Sequence, residues 1–120
     1  MKPADLTELL NKTLTSVENT GDEVVFTTDA GEVYKLYHEQ DCCECVSVDD
    51  VIGDLGDLIG APVLMAEEVS SADEPPISKD DESYTWTFYK FATIKGYVTI
   101  RWYGESNGYY SESVDFVKVN

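Results

Sequence analysis

Basic residues are scarce in this chain. Eight Lys and Arg stand against 24 Asp and Glu in 120 residues, a formal net charge of −16 with the single His neutral. A surface this negative repels nucleic-acid phosphates and anionic membranes. Direct nucleic-acid binding and membrane binding are therefore set aside, leaving a basic protein, a cation or plain solubility as the use of the charge. Long apolar runs are missing as well, since nothing approaches the ~20 residues that a membrane helix needs. Behind Met1 come Lys2, Pro3, Ala4 and Asp5, with no apolar stretch to read as an export signal. The expectation is a cytoplasmic protein. Its 3 Cys are then expected as reduced thiols, and their odd number argues against a closed disulfide framework. Gly-x-Gly-x-x-Gly, Walker and Gly-x-Ser-x-Gly patterns are absent, which removes the commonest signals for dinucleotides, nucleoside triphosphates and serine hydrolysis.

What is present suits one folded domain over residues 1–120. The hydrophobic fraction is 42% and the aromatic fraction 12%, enough for a packed core and unlike a disordered chain. In the segment 5–11, Leu6, Leu9 and Leu10 fall at helical spacing behind Pro3 and Asp5, which predicts a short helix. The run 24–28 and the run 32–38 read as strands joined by Asp29-Ala30-Gly31, a hairpin signal. Residues 45–48 and 63–66 read as further short strands. Between them, Val51, Ile52, Leu55, Leu58 and Ile59 make one apolar face of a predicted helix over 49–59, with Asp50, Asp54 and Asp57 along its opposite side. The stretch 67–82 is rich in carboxylates, Ser and Pro and reads as a mobile acidic loop. The last third alternates aromatic and β-branched residues, and Lys95-Gly96 and Asn107-Gly108 predict turns between three antiparallel strands in a meander. The fold class expected is α+β: a twisted antiparallel sheet with one or two short helices packed on it.

Two groups of residues have the composition of a site. The first is His38, Cys42, Cys43 and Cys45, which hold the only His and all the Cys. Thiolates and imidazole suit zinc or copper(I). The spacing opposes it, because adjacent Cys42 and Cys43 in an extended chain point to opposite faces and zinc ligands usually come from two separated segments. A thiol activated by His38 is the related alternative, and buried structural Cys the plain one. The second group is acidic. On a helix Asp50, Asp54 and Asp57 would sit roughly 5–6 Å apart, and with Glu67 and Glu68 they could imitate a row of phosphates; the plain alternative is a solvated face. Tyr103, Tyr109 and Tyr110 are candidate anchors for a partner, since Tyr is common at interface hot spots. No calcium loop and no informative carboxylate pair for glycoside hydrolysis is found.

Tyr37-His38-Glu39-Gln40-Asp41-Cys42-Cys43-Glu44, Gly53-Asp54-Leu55, Asp57-Leu58-Ile59-Gly60, the run from Trp86 to Thr93 and Arg101-Trp102-Tyr103-Gly104-Glu105-Ser106-Asn107-Gly108-Tyr109-Tyr110-Ser111-Glu112 together resemble a family of short proteins of tailed bacteriophages and their hosts. The resemblance covers nearly the whole chain; Cys45 is not part of the pattern. It implies a phage or prophage setting, in the bacterial host cytoplasm, and no catalytic residues. The expected function is a non-enzymatic protein that binds a basic host or defence protein, as an inhibitor whose acidic surface imitates nucleic acid. A metal- or thiol-dependent domain centred on His38, Cys42 and Cys43, with zinc as its cofactor, and a virion or assembly component are the alternatives.

Overall fold

The strand signals dominate the folded chain far more than the helix signals do. In the computed structural model, residues 1–71 and 74–120 are described. They form two antiparallel sheets. Five strands make the first, in the order β1 (Lys2–Pro3), β9 (Asp115–Lys118), β4 (Val33–Tyr37), β3 (Glu23–Thr28) and β2 (Leu14–Asn19). Four make the second: β5 (Cys45–Ile52), β8 (Gly96–Ser106), β7 (Ser83–Thr93) and β6 (Met65–Ser71). The sheets share one core. Val24, Phe26, Tyr34 and Leu36 of the first sheet meet Tyr89, Phe91, Val98, Ile100 and Trp102 of the second. The rings of Phe26 and Phe91 lie 5.4 Å apart across it. Along β8 the expected alternation holds, with Val98, Ile100 and Trp102 all buried.

The α+β expectation is therefore corrected: the protein is built from antiparallel strands, and the helical part among the described residues is two single 3₁₀ turns, Leu6–Leu9 and Leu55–Leu58. Each failure has a local cause. In the first turn Asp5 accepts from the Thr7 N–H at 3.0 Å, and Glu8 accepts from the Asp5 N–H at 2.9 Å, a proper helix start. The helical path nevertheless ends within one turn: Leu10 is already extended at ψ 134°, and Asn11 then takes the left-handed region at φ 67°. The predicted helix over 49–59 divides at Gly53. Its φ of 106° is foreign to a helix, and a Cβ there would lie 2.6 Å from the Tyr97 carbonyl oxygen. Val46, Val48, Val51 and Ile52 extend into β5 instead, with a bulge between Val48 and Asp50. Each expected helix is reduced to one 3₁₀ turn among the described residues, and the second sheet covers the first.

The C-terminal meander is corrected as well. β7 and β8 pair over their full lengths from Ser83↔Ser106 to Thr93↔Gly96. The chain then leaves that sheet, and β9 pairs with β4 and β1 in the other. Its crossing passes over Gly104 of β8, where an added Cβ would lie 2.7 Å from the Glu112 carbonyl oxygen and 2.9 Å from the Glu112 Cβ. The hairpin of β3 and β4 is as expected, with Gly31 at φ 82° in its turn. Of the segment expected as a loop over 67–82, residues up to Ser71 belong to β6, and Ala72 and Asp73 lie outside the described residues. No helix among the described residues is long and apolar enough to cross a membrane.

Gly104→Ala tests the crossing. The two nearest atoms are fixed to the Glu112 backbone and cannot swing aside, so the methyl overpacks the site, at a cost of about 1–3 kcal/mol. Thermal unfolding followed by circular dichroism is expected to show a melting point lower by several degrees; an unchanged melting point would mean the 107–114 segment does not lie on β8.

Candidate functional site

The acidic residues singled out from the sequence do not form one row. Asp50 is exposed on β5 and Glu67 and Glu68 lie on β6, at opposite edges of the second sheet. Three strand spacings separate those edges, roughly 14 Å. Glu67 and Glu68 are also successive residues of one strand, so they face opposite sides of it. Asp54 and Asp57 are brought to Asp50's end of the sheet by the 3₁₀ turn Leu55–Leu58. Asp54 caps that turn, accepting from the Gly56 N–H at 2.8 Å.

The turn is fastened to the end of the β7–β8 hairpin. The Thr93 hydroxyl donates to the Asp57 carbonyl oxygen. The Lys95 ammonium donates to the Ile59 carbonyl at 2.6 Å. Asp57 reaches so close to Gly96 that a Cβ there would sit 3.0 Å from its Oδ2. Beside these carboxylates stand apolar residues that the fold leaves uncovered. Ile94 is 85% exposed, Tyr97 77% and Ile52 52%. Since Ile52 pairs with Thr99, Tyr97 is its diagonal neighbour on the same face, about 7–8 Å away. This corner is thus an apolar group bounded by Asp50, Asp54 and Asp57. Sequence reasoning found the carboxylates and missed Ile52, Ile94 and Tyr97. The signal was there: Ile94 and Tyr97 flank the Lys95-Gly96 turn, where an acidic chain would ordinarily carry polar residues.

Of the candidate tyrosines, Tyr109 is 89% exposed, Tyr110 is half-buried in the crossing segment, and Tyr103 is buried. The Tyr103 hydroxyl donates to Asp81 and accepts from the Ile77 N–H at 3.2 Å. Burial first, then the Asp81 carboxylate, push its pKa up to about 12. Trp86 donates through Nε1 to the Pro75 carbonyl at 3.0 Å. Tyr103 and Trp86 therefore fasten the 74–82 segment over the outer face of the second sheet. Arg101 lies over the Trp86 ring and bonds Asp49 at 2.6 Å, so part of the acidic charge near Asp50 is already answered within the fold.

The His and Cys residues are arranged around a different centre. Glu44 is buried, and its carboxylate accepts from His38 Nε2 at 2.8 Å, from the Asp41 and Cys42 N–H groups at 3.0 and 2.8 Å, and from Gln40 Nε2 at 3.1 Å. The other ring nitrogen of His38 meets the Ser113 carbonyl at 2.7 Å. Both ring nitrogens are thus engaged by oxygen atoms. Burial alone would raise the Glu44 pKa; the bonds from His38 and the N–H groups outweigh it and hold it at about 2. Cys42 and Cys43 are joined to each other as a disulfide, not held as reduced thiols. Cys45 stands apart on β5, its thiol bonded to the Glu105 carboxylate, and that bond and burial raise its pKa, which opposes a thiolate nucleophile. His38, Cys42, Cys43 and Cys45 are thus not drawn together, and no group of three or more His, Cys, Asp or Glu that could hold a metal is found among the described residues.

Glu44 has a consequence for acid stability. Its folded pKa lies below the ordinary 4.5, so its contribution is fully present above about pH 4.5 and is lost as pH falls towards about 2. Urea unfolding across that window is expected to show the loss in the native protein. The Glu44→Gln variant should be less stable at neutral pH and lose less on acidification; equal acid sensitivity of the two proteins would remove Glu44 from this role.

No curated protein and no solved structure matches the chain. A family profile described as a domain of unknown function, DUF7448, matches residues 7–116. That match takes in both sheets, the acidic corner and the Glu44 centre, so the chain belongs to the DUF7448 family.

Proposed function

We propose that this domain is a non-enzymatic binding protein of phage or prophage origin, and that it docks a basic host or defence protein on its acidic corner. The observation that carries the reading is the juxtaposition of uncovered Ile52, Ile94 and Tyr97 with Asp50, Asp54 and Asp57 at one end of the second sheet. Interfaces commonly have this composition, an aromatic and aliphatic centre inside a polar rim, with a few residues supplying most of the affinity. The net charge of −16 adds long-range attraction for a basic surface. Inhibition by occupying the groove of a nucleic-acid-binding protein is the mode that this charge favours, although the carboxylates lie on a strand and a turn and not at helical spacing. The metal- or thiol-dependent reading has less to draw on, because both ring nitrogens of His38 are engaged and the Cys45 thiol is bonded to a carboxylate.

The test begins with a tagged domain in nuclease-treated bacterial lysate, eluted by a salt gradient. A captured basic protein is then titrated against surface variants. Tyr97→Ala is expected to weaken binding at least tenfold, in the range of about 2 kcal/mol seen for hot spots. The pair Asp54→Asn and Asp57→Asn keeps the cap of the turn, and is expected to slow association and flatten the salt dependence. Retention unchanged by both sets would overturn the corner as the docking site.

A further inference from the structure

The inner face of the second sheet is not wholly filled by the core. Beyond Tyr89, β6 and β7 turn Glu68, Ser70, Thr85 and Thr87 towards the crossing segment, and a cleft of about 340 Å³ remains between them and Tyr110 and Glu112. Past Glu68 and Val114 it runs on into a hollow of about 420 Å³ beside Asp5, Thr7 and Asp115. Spaces of this size are what small ligands occupy. We propose that the cleft binds an extended aliphatic amine, a polyamine, with an ammonium group at Glu68.

Two independent observations support a ligand. The Thr87 side chain lines the cleft on a residue only 4% exposed, and its hydroxyl has no hydrogen-bond partner among the described residues. That hydroxyl borders the cleft, where a bound group would meet it. The second observation is the sign of the lining. Glu68, Glu112, Asp5 and Asp115 border the connected spaces, and no Lys or Arg lines either of them. Glu112 is already held by the hydroxyls of Thr85 at 2.8 Å and Ser106 at 2.5 Å, and Asp5 by Thr7. Glu68 has no hydrogen-bond or ion-pair partner among the described residues, and partial burial raises its pKa, a cost that an ammonium would reverse. Carboxylates spaced along a channel match cationic groups spaced along a flexible chain, and the hydroxyls of Ser70 and Thr87, unpartnered among the described residues, accept from N–H groups between them.

The cleft is separate from the acidic corner, so either proposal stands if the other fails. The neighbouring Glu67, facing the opposite side of β6, supplies the control. Spermidine is titrated at physiological salt by calorimetry and by amide chemical shifts. One saturable site is expected, with shifts at Glu68, Ser70, Thr87 and residues 108–114. Glu68→Gln should weaken it about ten- to hundredfold, as for a charge-assisted hydrogen bond. Thr87→Val keeps the side-chain shape and should weaken it about threefold to tenfold. Glu67→Gln should leave it unchanged. Equal losses in the two Glu variants, or shifts scattered over the acidic surface, would mean counterion condensation and overturn the site; so would the absence of saturable binding.

Discussion

The long pairing of β7 with β8 is the constraint on which the other elements depend. Its partners run unbroken from Ser83↔Ser106 to Thr93↔Gly96. On the inner side it presents Tyr89, Phe91, Val98, Ile100 and Trp102, and the first sheet closes over them. On the outer side it presents Trp86 and Tyr103, which hold the 74–82 segment. β5 and β6 add to its two flanks, and its tight turn receives the second 3₁₀ turn. Aromatic burial of this kind is the largest favourable contribution available to a chain of this size. It also opposes the self-repulsion that a net charge of −16 imposes on any compact state.

Charge is handled differently at three places. Around Glu44 a carboxylate is taken out of water and surrounded by donors from a single short segment, which fixes the connection between β4 and β5 and draws in Ser113 from the crossing. Around Arg101 the charge is balanced at the surface by Asp49 and an aromatic ring. At the corner, Asp50 has Arg101 at 4.0 Å, while Asp54 accepts from a backbone N–H and Lys95 is turned away to a carbonyl.

The strands and turns of this protein were largely legible from its residues, because alternation in β3, β4, β7 and β8 and the Gly31 and Gly96 turns are local signals. The helices were not. Val51, Ile52, Leu55, Leu58 and Ile59 satisfy helical spacing, but the same residues also serve a strand followed by one turn, and what decides is Gly53 against the Tyr97 carbonyl, a contact forty-odd residues away in the chain. The partition of strands between two sheets was hidden for the same reason: nothing local says that β9 leaves β8 for β4. At the site, carboxylate identity could be read but not position. The hub role of Glu44 was invisible among 24 acidic residues, because only the folded chain shows which one is buried.

The second sheet ends in two open strands, β5 and β6, whose unpaired backbone could template another chain. Asp49 and Asp50 stand on one, at a bulge, and Glu67 and Glu68 on the other. Charged side chains on open edges oppose edge-to-edge pairing of copies.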